Sequence, residues 1–133
     1  MSSHNSPVNA HIIQRIEIWP VDIPITDPFV VATGARVTAE NLFMRVTLRD
    51  GTQGIGEAAP FPEVGGEDRP TCFAAATELA QAMIGQSAAD DQSLADRLHE
   101  QAPLRPAARC GLETALLDAY CRAQRIPLWQ LWG

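Results

Sequence analysis

Gly54-Ile-Gly-Glu57 is the stretch of this 133-residue chain that most invites a chemical reading. Closely spaced glycines can let a phosphate approach backbone N–H groups. Here the glycines follow an Asp50-Gly51 turn, no third glycine completes the pattern, and they open no helix with a basic residue nearby. The spacing predicts instead a strand that runs close beneath a helix, with Glu57 making local hydrogen bonds. His4, His11 and His99 are scattered and lack the H-x-x-x-H or paired Cys/His spacing of a metal site, so the chain is expected to bind no metal by itself. Carboxylates cluster at Glu63, Glu67 and Asp68 and again at Asp90 and Asp91, beside predicted helix starts, where they serve as caps and dipole partners. Acid–base work would need a dry cleft that drives two carboxyl pKa values apart. Ser2, Ser3, Ser6, Ser87 and Ser93 lie in polar surroundings without a nucleophile-elbow context. No catalytic constellation is visible.

Composition narrows the classes further. A hydrophobic fraction of 46% with 20% charged residues belongs to a soluble globular protein, and the length suits one domain. The net charge of -6 repels phosphate backbones, which argues against a nucleic-acid partner. The N-terminus lacks the basic start and apolar core of a signal peptide, and no apolar run is long enough to span a membrane, so a cytoplasmic location is expected. Cys72, Cys110 and Cys121 show no C-x-x-C spacing and fall in apolar helical patterns, so they are expected to be reduced and structural.

The elements that must position these residues follow from periodicity. After a polar arm, expected to be disordered over residues 1–11, Ile12 to Ile25 predicts a strand with a bulge near Arg15. Thr26 to Arg36, with Pro28 and Gly34, is apolar but poorly periodic and predicts a covering loop. Asn41 to Arg49 alternates, with Leu42, Met44, Val46 and Leu48 on one face, and Asp50-Gly51 predicts a hairpin turn into a strand over 52–59. A second loop, 60–68, leads to a helix from Pro70 with Phe73, Ala76, Leu79, Ala80, Met83 and Ile84 along one stripe. A short helix over 91–101 carries Leu94 and Leu98, and a third from Pro106 carries Ala108, Leu112, Ala115, Leu116, Ala119 and Ala123. Strands first and helices after predict an α+β domain: a three-stranded antiparallel meander followed by a three-helix bundle. The terminal run Pro127-Leu-Trp-Gln-Leu-Trp-Gly133 is apolar enough to want a surface to pack on, in this chain or in a further domain.

Several segments, taken in order, resemble the N-terminal capping domain of the enolase superfamily, muconate-cycloisomerase branch. They are Ile16-Glu17, Pro28-Phe29, Asp50-Gly51, Gly54-x-Gly56-Glu57-Ala58 through Pro60, the run Ala107 to Asp118, and Ile126 to Gly133. Gly56 to Pro62 with Gly66-Glu67, and Ala108 to Glu113, are most similar to the dipeptide epimerases. The resemblance implies a cap over residues 12–127, with 128–133 beginning the junction to a (β/α) barrel partner domain that these residues do not contain. In the family a divalent ion held by barrel carboxylates, Mg2+, stabilises an enediolate while lysines exchange the α-proton. This chain has no lysine, so neither those bases nor the metal ligands map onto it, and it is expected to be inactive alone. What maps is a pair of covering loops, with Phe29, Thr33, Gly34, Phe61 and Val64 as expected substrate-binding residues. Gly34 falls where members acting on Ala-Glu dipeptides carry an arginine, with Arg36 displaced, which weakens the expectation of an acidic dipeptide. The implied partners are a small carboxylate or dipeptide substrate and further copies of the enzyme in a homo-oligomer. Muconate cycloisomerase or o-succinylbenzoate synthase parents remain open, as does a stand-alone dimeric binding module that hides Trp129 and Trp132.

Overall fold

The computed structural model describes residues 10–32 and 34–133. Strands β1 (Ile13–Val31), β2 (Gly34–Leu48) and β3 (Gln53–Ala58) lie side by side in that order and pair antiparallel. Helices α1 (Pro62–Gly65), α2 (Arg69–Met83), α3 (Asp91–Gln101) and α4 (Pro106–Gln124) follow, with 3-10 turns at Ala88–Asp90 and Leu128–Trp132. This is the α+β order expected from the sequence, and the described residues form no barrel.

The alternation in β2 decides the sheet's inner face. Leu42, Met44, Val46 and Leu48 are fully buried there, and each contributes roughly 1.5–3 kcal/mol by leaving water. Gly51 closes the β2–β3 turn at φ 87°, a left-handed conformation that glycine adopts without penalty, and Asp50 accepts a 2.8 Å hydrogen bond from the Thr52 N–H. The register slips between Ile13 and Arg15, where the sequence predicts a bulge.

Helix α4 lies closer to the sheet than an ordinary side chain would allow. Gly54, Gly56 and Ala58 take the buried positions of β3, and the facing helix presents Gly111, Ala115 and Ala119, spaced four apart along one side. A methyl group on Gly56 would stand 2.0 Å from the Gly111 carbonyl oxygen. The glycines therefore serve packing, as the sequence predicts, and Asp118 of α4 accepts a 2.9 Å hydrogen bond from the Ile55 N–H of β3. Helix α2 begins at Asp68, whose side chain accepts from the Thr71 N–H at 2.8 Å, and buries Cys72, Ala76, Leu79, Ala80 and Met83. Helix α3 buries Leu94 and Leu98.

Four expectations need correction. The covering loop predicted over Thr26 to Arg36 is largely strand: Phe29, Val30 and Val31 pair with Arg36, Ala35 and Gly34. Its period was hidden by a large register shift between Pro24 and Phe29, which carries Pro28 where its missing N–H breaks no ladder bond. Phe73 and Ile84 are exposed rather than in the α2 stripe, because Cys72 takes the inward position one residue earlier. Cys110 is exposed, whereas Cys72 and Cys121 are buried. His11, assigned to the arm, is held: its ring meets Tyr120 edge-on at 5.6 Å and its carbonyl accepts from the Ala88 N–H at 2.9 Å. The rest of the expected arm, residues 1–9, lies outside the described residues. Trp129 and Trp132 are each 72% exposed. Among the described residues no helix is long and apolar enough to cross a membrane.

Candidate functional site

The far end of the β1–β2 hairpin and the segment after β3 meet in a cleft of about 170 Å³ lined by Ile25, Phe29, Arg36, Ala39, Pro60 and Phe61, among others. Register explains half of this. Phe29 and Arg36 are directly paired across the hairpin, so their side chains share one face. Phe61, the residue before α1, comes against that face: its ring centroid lies 5.8 Å from that of Phe29 with the planes tilted by 59°, and the Arg36 guanidinium carbon lies 4.8 Å from its centroid.

Charge is balanced at the cleft wall. Arg36 Nη2 donates to both carboxylate oxygens of Glu63, at 2.9 and 3.2 Å, and Arg36 Nη1 donates to Glu40 at 3.3 Å. The Glu63 carboxyl is held below the ordinary carboxylate range, first by its own backbone N–H and then by Arg36. Deeper along the same edge, Asn41 donates to Glu57 at 2.6 Å, and Arg69 bridges Asp22 and, at 3.8 Å, Glu40.

Of the residues expected to bind substrate, the fold brings Phe29 and Phe61 together. Gly34 stands two positions before Arg36 on β2 with open space where a Cβ would project. Val64 is 73% exposed and does not line the cleft. Thr33 lies outside the described residues. Ile25, Ala39 and Glu40 were missed, because Ile25 ended the predicted first strand and residues 37–40 were assigned to no element, so the pairing that brings them to the cleft was not foreseen.

Glu67, expected to serve the helix start beside it, instead serves a distant one. It is only 1% exposed, and it accepts a 2.7 Å hydrogen bond from the Ala107 N–H at the start of α4. Arg105, the residue before that helix, supplies no side-chain cap, so a carboxylate 40 residues away does the capping. Burial, then the Glu67 charge and hydrogen bond, push the neighbouring Cys72 thiol up to about 12. Among the described residues no three His, Cys, Asp or Glu side chains converge as metal ligands.

A packed helical layer on a three-stranded meander, with a specific cleft at the hairpin end, defines the class, and sequence comparison gives the family. Residues 13–133 match the N-terminal domain of the mandelate racemase / muconate lactonizing enzymes, and the chain belongs to that family, within the enolase superfamily. An aromatic dipeptide epimerase of Herpetosiphon aurantiacus is 41% identical over 91% of this chain and 34% of its own length. The crystal structure of a mandelate racemase/muconate lactonizing protein from Herpetosiphon aurantiacus superposes with a TM-score of 0.89 at 40% identity, covering 93% of this chain and 35% of that one. A dipeptide epimerase from Methylococcus capsulatus, solved with Mg and the dipeptide L-Arg-D-Lys, superposes at 0.84 with 30% identity, covering 92% and 35%. The chain thus spans about a third of the length of the relatives it matches.

Proposed function

We propose that residues 12–127 are the substrate-covering and specificity domain of a magnesium-dependent dipeptide epimerase, and that residues 128–133 begin the junction to its barrel. Similarity to dipeptide epimerases supports the reaction class. The observation that carries the covering role is the Phe29–Phe61 pair, which comes from two separate segments and opens beside a charge-balanced wall.

Taking a proton from the carbon next to a carbonyl or carboxylate builds up enediolate charge, which a bound Mg2+ stabilises when barrel residues hold it. Among the described residues no metal-ligand set converges, and this chain contains no lysine to serve as such a base. Its part is to cover the substrate, exclude water and select the side chain. Phe29, Phe61, Ile25, Ala39 and Pro60 give apolar walls, which favour a dipeptide with an apolar or aromatic side chain over an acidic one. Gly34 leaves open space at the hairpin end.

The test is a dipeptide panel on the intact enzyme, following exchange of the α-proton for deuterium in heavy water. Phe29→Ala is expected to change the ratios of kcat/KM among dipeptides more than the largest kcat. Unchanged ratios across the panel would refute the specificity role. Absence of α-proton exchange with every dipeptide would refute the reaction class.

A further inference from the structure

Within segment 60–66, Pro60 is buried and Phe61 meets Phe29, but residues 62–66 have little of their own to hold them in place. Helix α1 spans only Pro62–Gly65, buries no residue, and starts at Phe61 without a side-chain cap. Gly66 follows it in the left-handed region, at φ 73°. At its far end the segment is anchored by Glu67, buried against the start of α4. At its near side Glu63 is the charged tie to the hairpin, through the paired bonds to Arg36 across 27 positions. That pair is sheltered, with side-chain exposures of 20% for Arg36 and 31% for Glu63, and the guanidinium also lies over Phe61. One guanidinium nitrogen shared between both carboxylate oxygens holds the two side chains on each other, and the cation's place over the Phe61 ring adds a second constraint.

We infer that Glu63 is a specificity-determining and positioning residue: it fastens segment 60–66 to the hairpin and occupies the one guanidinium on the cleft wall, withholding Arg36 from the substrate. The inference rests on the covering role proposed above and deepens it. With Glu63 in place, Arg36 is balanced and the described residues of this cleft wall offer an acidic substrate side chain no free cation. Without it, Arg36 keeps only Glu40, at 3.3 Å and about half exposed, and its Nη2 turns toward the cleft as an unspent donor. The wall then becomes cationic, and the segment loses its charged tie, keeping the buried Pro60, the Phe61–Phe29 contact and the Glu67 anchor. Nothing in the local sequence of Glu63 announces this, since its partner is on another strand.

The experiment compares the intact enzyme with Glu63→Gln, Arg36→Gln and the double variant, using two independent readouts. Amide hydrogen exchange over 61–66 is expected to speed up by about fivefold or more in both single variants, with the double variant no faster than either, as for two halves of one contact. The ratio of kcat/KM for a dipeptide with a glutamate side chain to one with a phenylalanine side chain is expected to rise about tenfold in Glu63→Gln and to fall back when Arg36→Gln is added. Unchanged exchange in Glu63→Gln would overturn the fastening, and an unchanged ratio beside faster exchange would overturn the specificity role. If the wild-type enzyme processes no dipeptide while exchange responds as expected, the proposed reaction fails and the fastening stands.

Discussion

Gly56→Ala is the substitution whose consequence the structure fixes most tightly. An added methyl would lie 2.0 Å from the Gly111 carbonyl oxygen and 2.7 Å from the Ala115 nitrogen, both backbone atoms of α4. Ordinary contact is about 3.5 Å, so the helix would have to retreat by roughly 1.5 Å along a face that buries Leu112, Ala115, Leu116 and Ala119. Overpacking costs about 1–3 kcal/mol where side chains can adjust, and here only backbone is available to move, which places the expected loss at about 3 kcal/mol or more. Two controls set the scale. Gly111→Ala meets the flexible end of Met44, the sulfur at 2.7 Å and the methyl at 2.8 Å, and also the Ala58 Cβ at 3.0 Å; only the thioether can swing aside, so the cost should be about 1–3 kcal/mol and below that of Gly56→Ala, partly offset by better helix propensity. Gly34→Ala meets nothing within 4 Å and should lie within about 0.5 kcal/mol of wild type. Urea denaturation of the chain followed by circular dichroism should separate them, because 3 kcal/mol moves the midpoint by about 1–3 M. A Gly56→Ala loss below about 1 kcal/mol, or a Gly34→Ala loss as large as that of Gly56→Ala, would refute the close-packing account.

Glu67→Ala removes a buried charged acceptor and leaves the start of α4 uncapped, which should cost about 1.5–3 kcal/mol in the same titration, and a loss below about 0.5 kcal/mol would contradict the capping role. In native protein a disulfide reagent at pH 8 should modify Cys110 rapidly and spare Cys72, whose thiol is pushed up to about 12, and Cys121; Cys110→Ala should abolish the fast phase. The carboxyls of Glu17, hydrogen-bonded by Arg45, of Glu63, and of Asp68, hydrogen-bonded by Thr71, are all lowered in the fold. Their stabilisation is therefore present above the ordinary carboxylate range and is lost as pH falls through the lowered values, so melting temperature should drop below about pH 4, and a flat profile there would count against these contacts. Glu113 is shifted the other way, since burial outweighs Arg109 and His99 and raises its pKa. Stability from it is present at low pH and lost as pH rises through the raised value, so Glu113→Gln should raise the melting temperature at pH 7 and leave it unchanged at pH 3.5.

Much of this molecule was legible before any fold was drawn. The two-residue period of Leu42, Met44, Val46 and Leu48, the Asp50-Gly51 turn, the proline starts of α2 and α4, and the small residues at 54, 56, 111, 115 and 119 are local signals, because neighbours in sequence determine backbone preference and which side is apolar. The family resemblance shares only part of these, Asp50-Gly51, Gly54, Gly56 and the run Ala107 to Asp118. What the tertiary structure alone decided concerns partners distant in the chain. The segment 26–36 pairs as a hairpin only because β1 and β2 meet with a register shift, and that pairing puts Arg36 on the same face as Phe29 and Gly34. Glu63 and Glu67 read equally well as surface carboxylates near a helix start, yet one holds Arg36 and the other is buried on the Ala107 N–H. A carboxylate's role is set by which donor the folded chain brings within about 3 Å, and no local pattern encodes a donor 27 or 40 positions away.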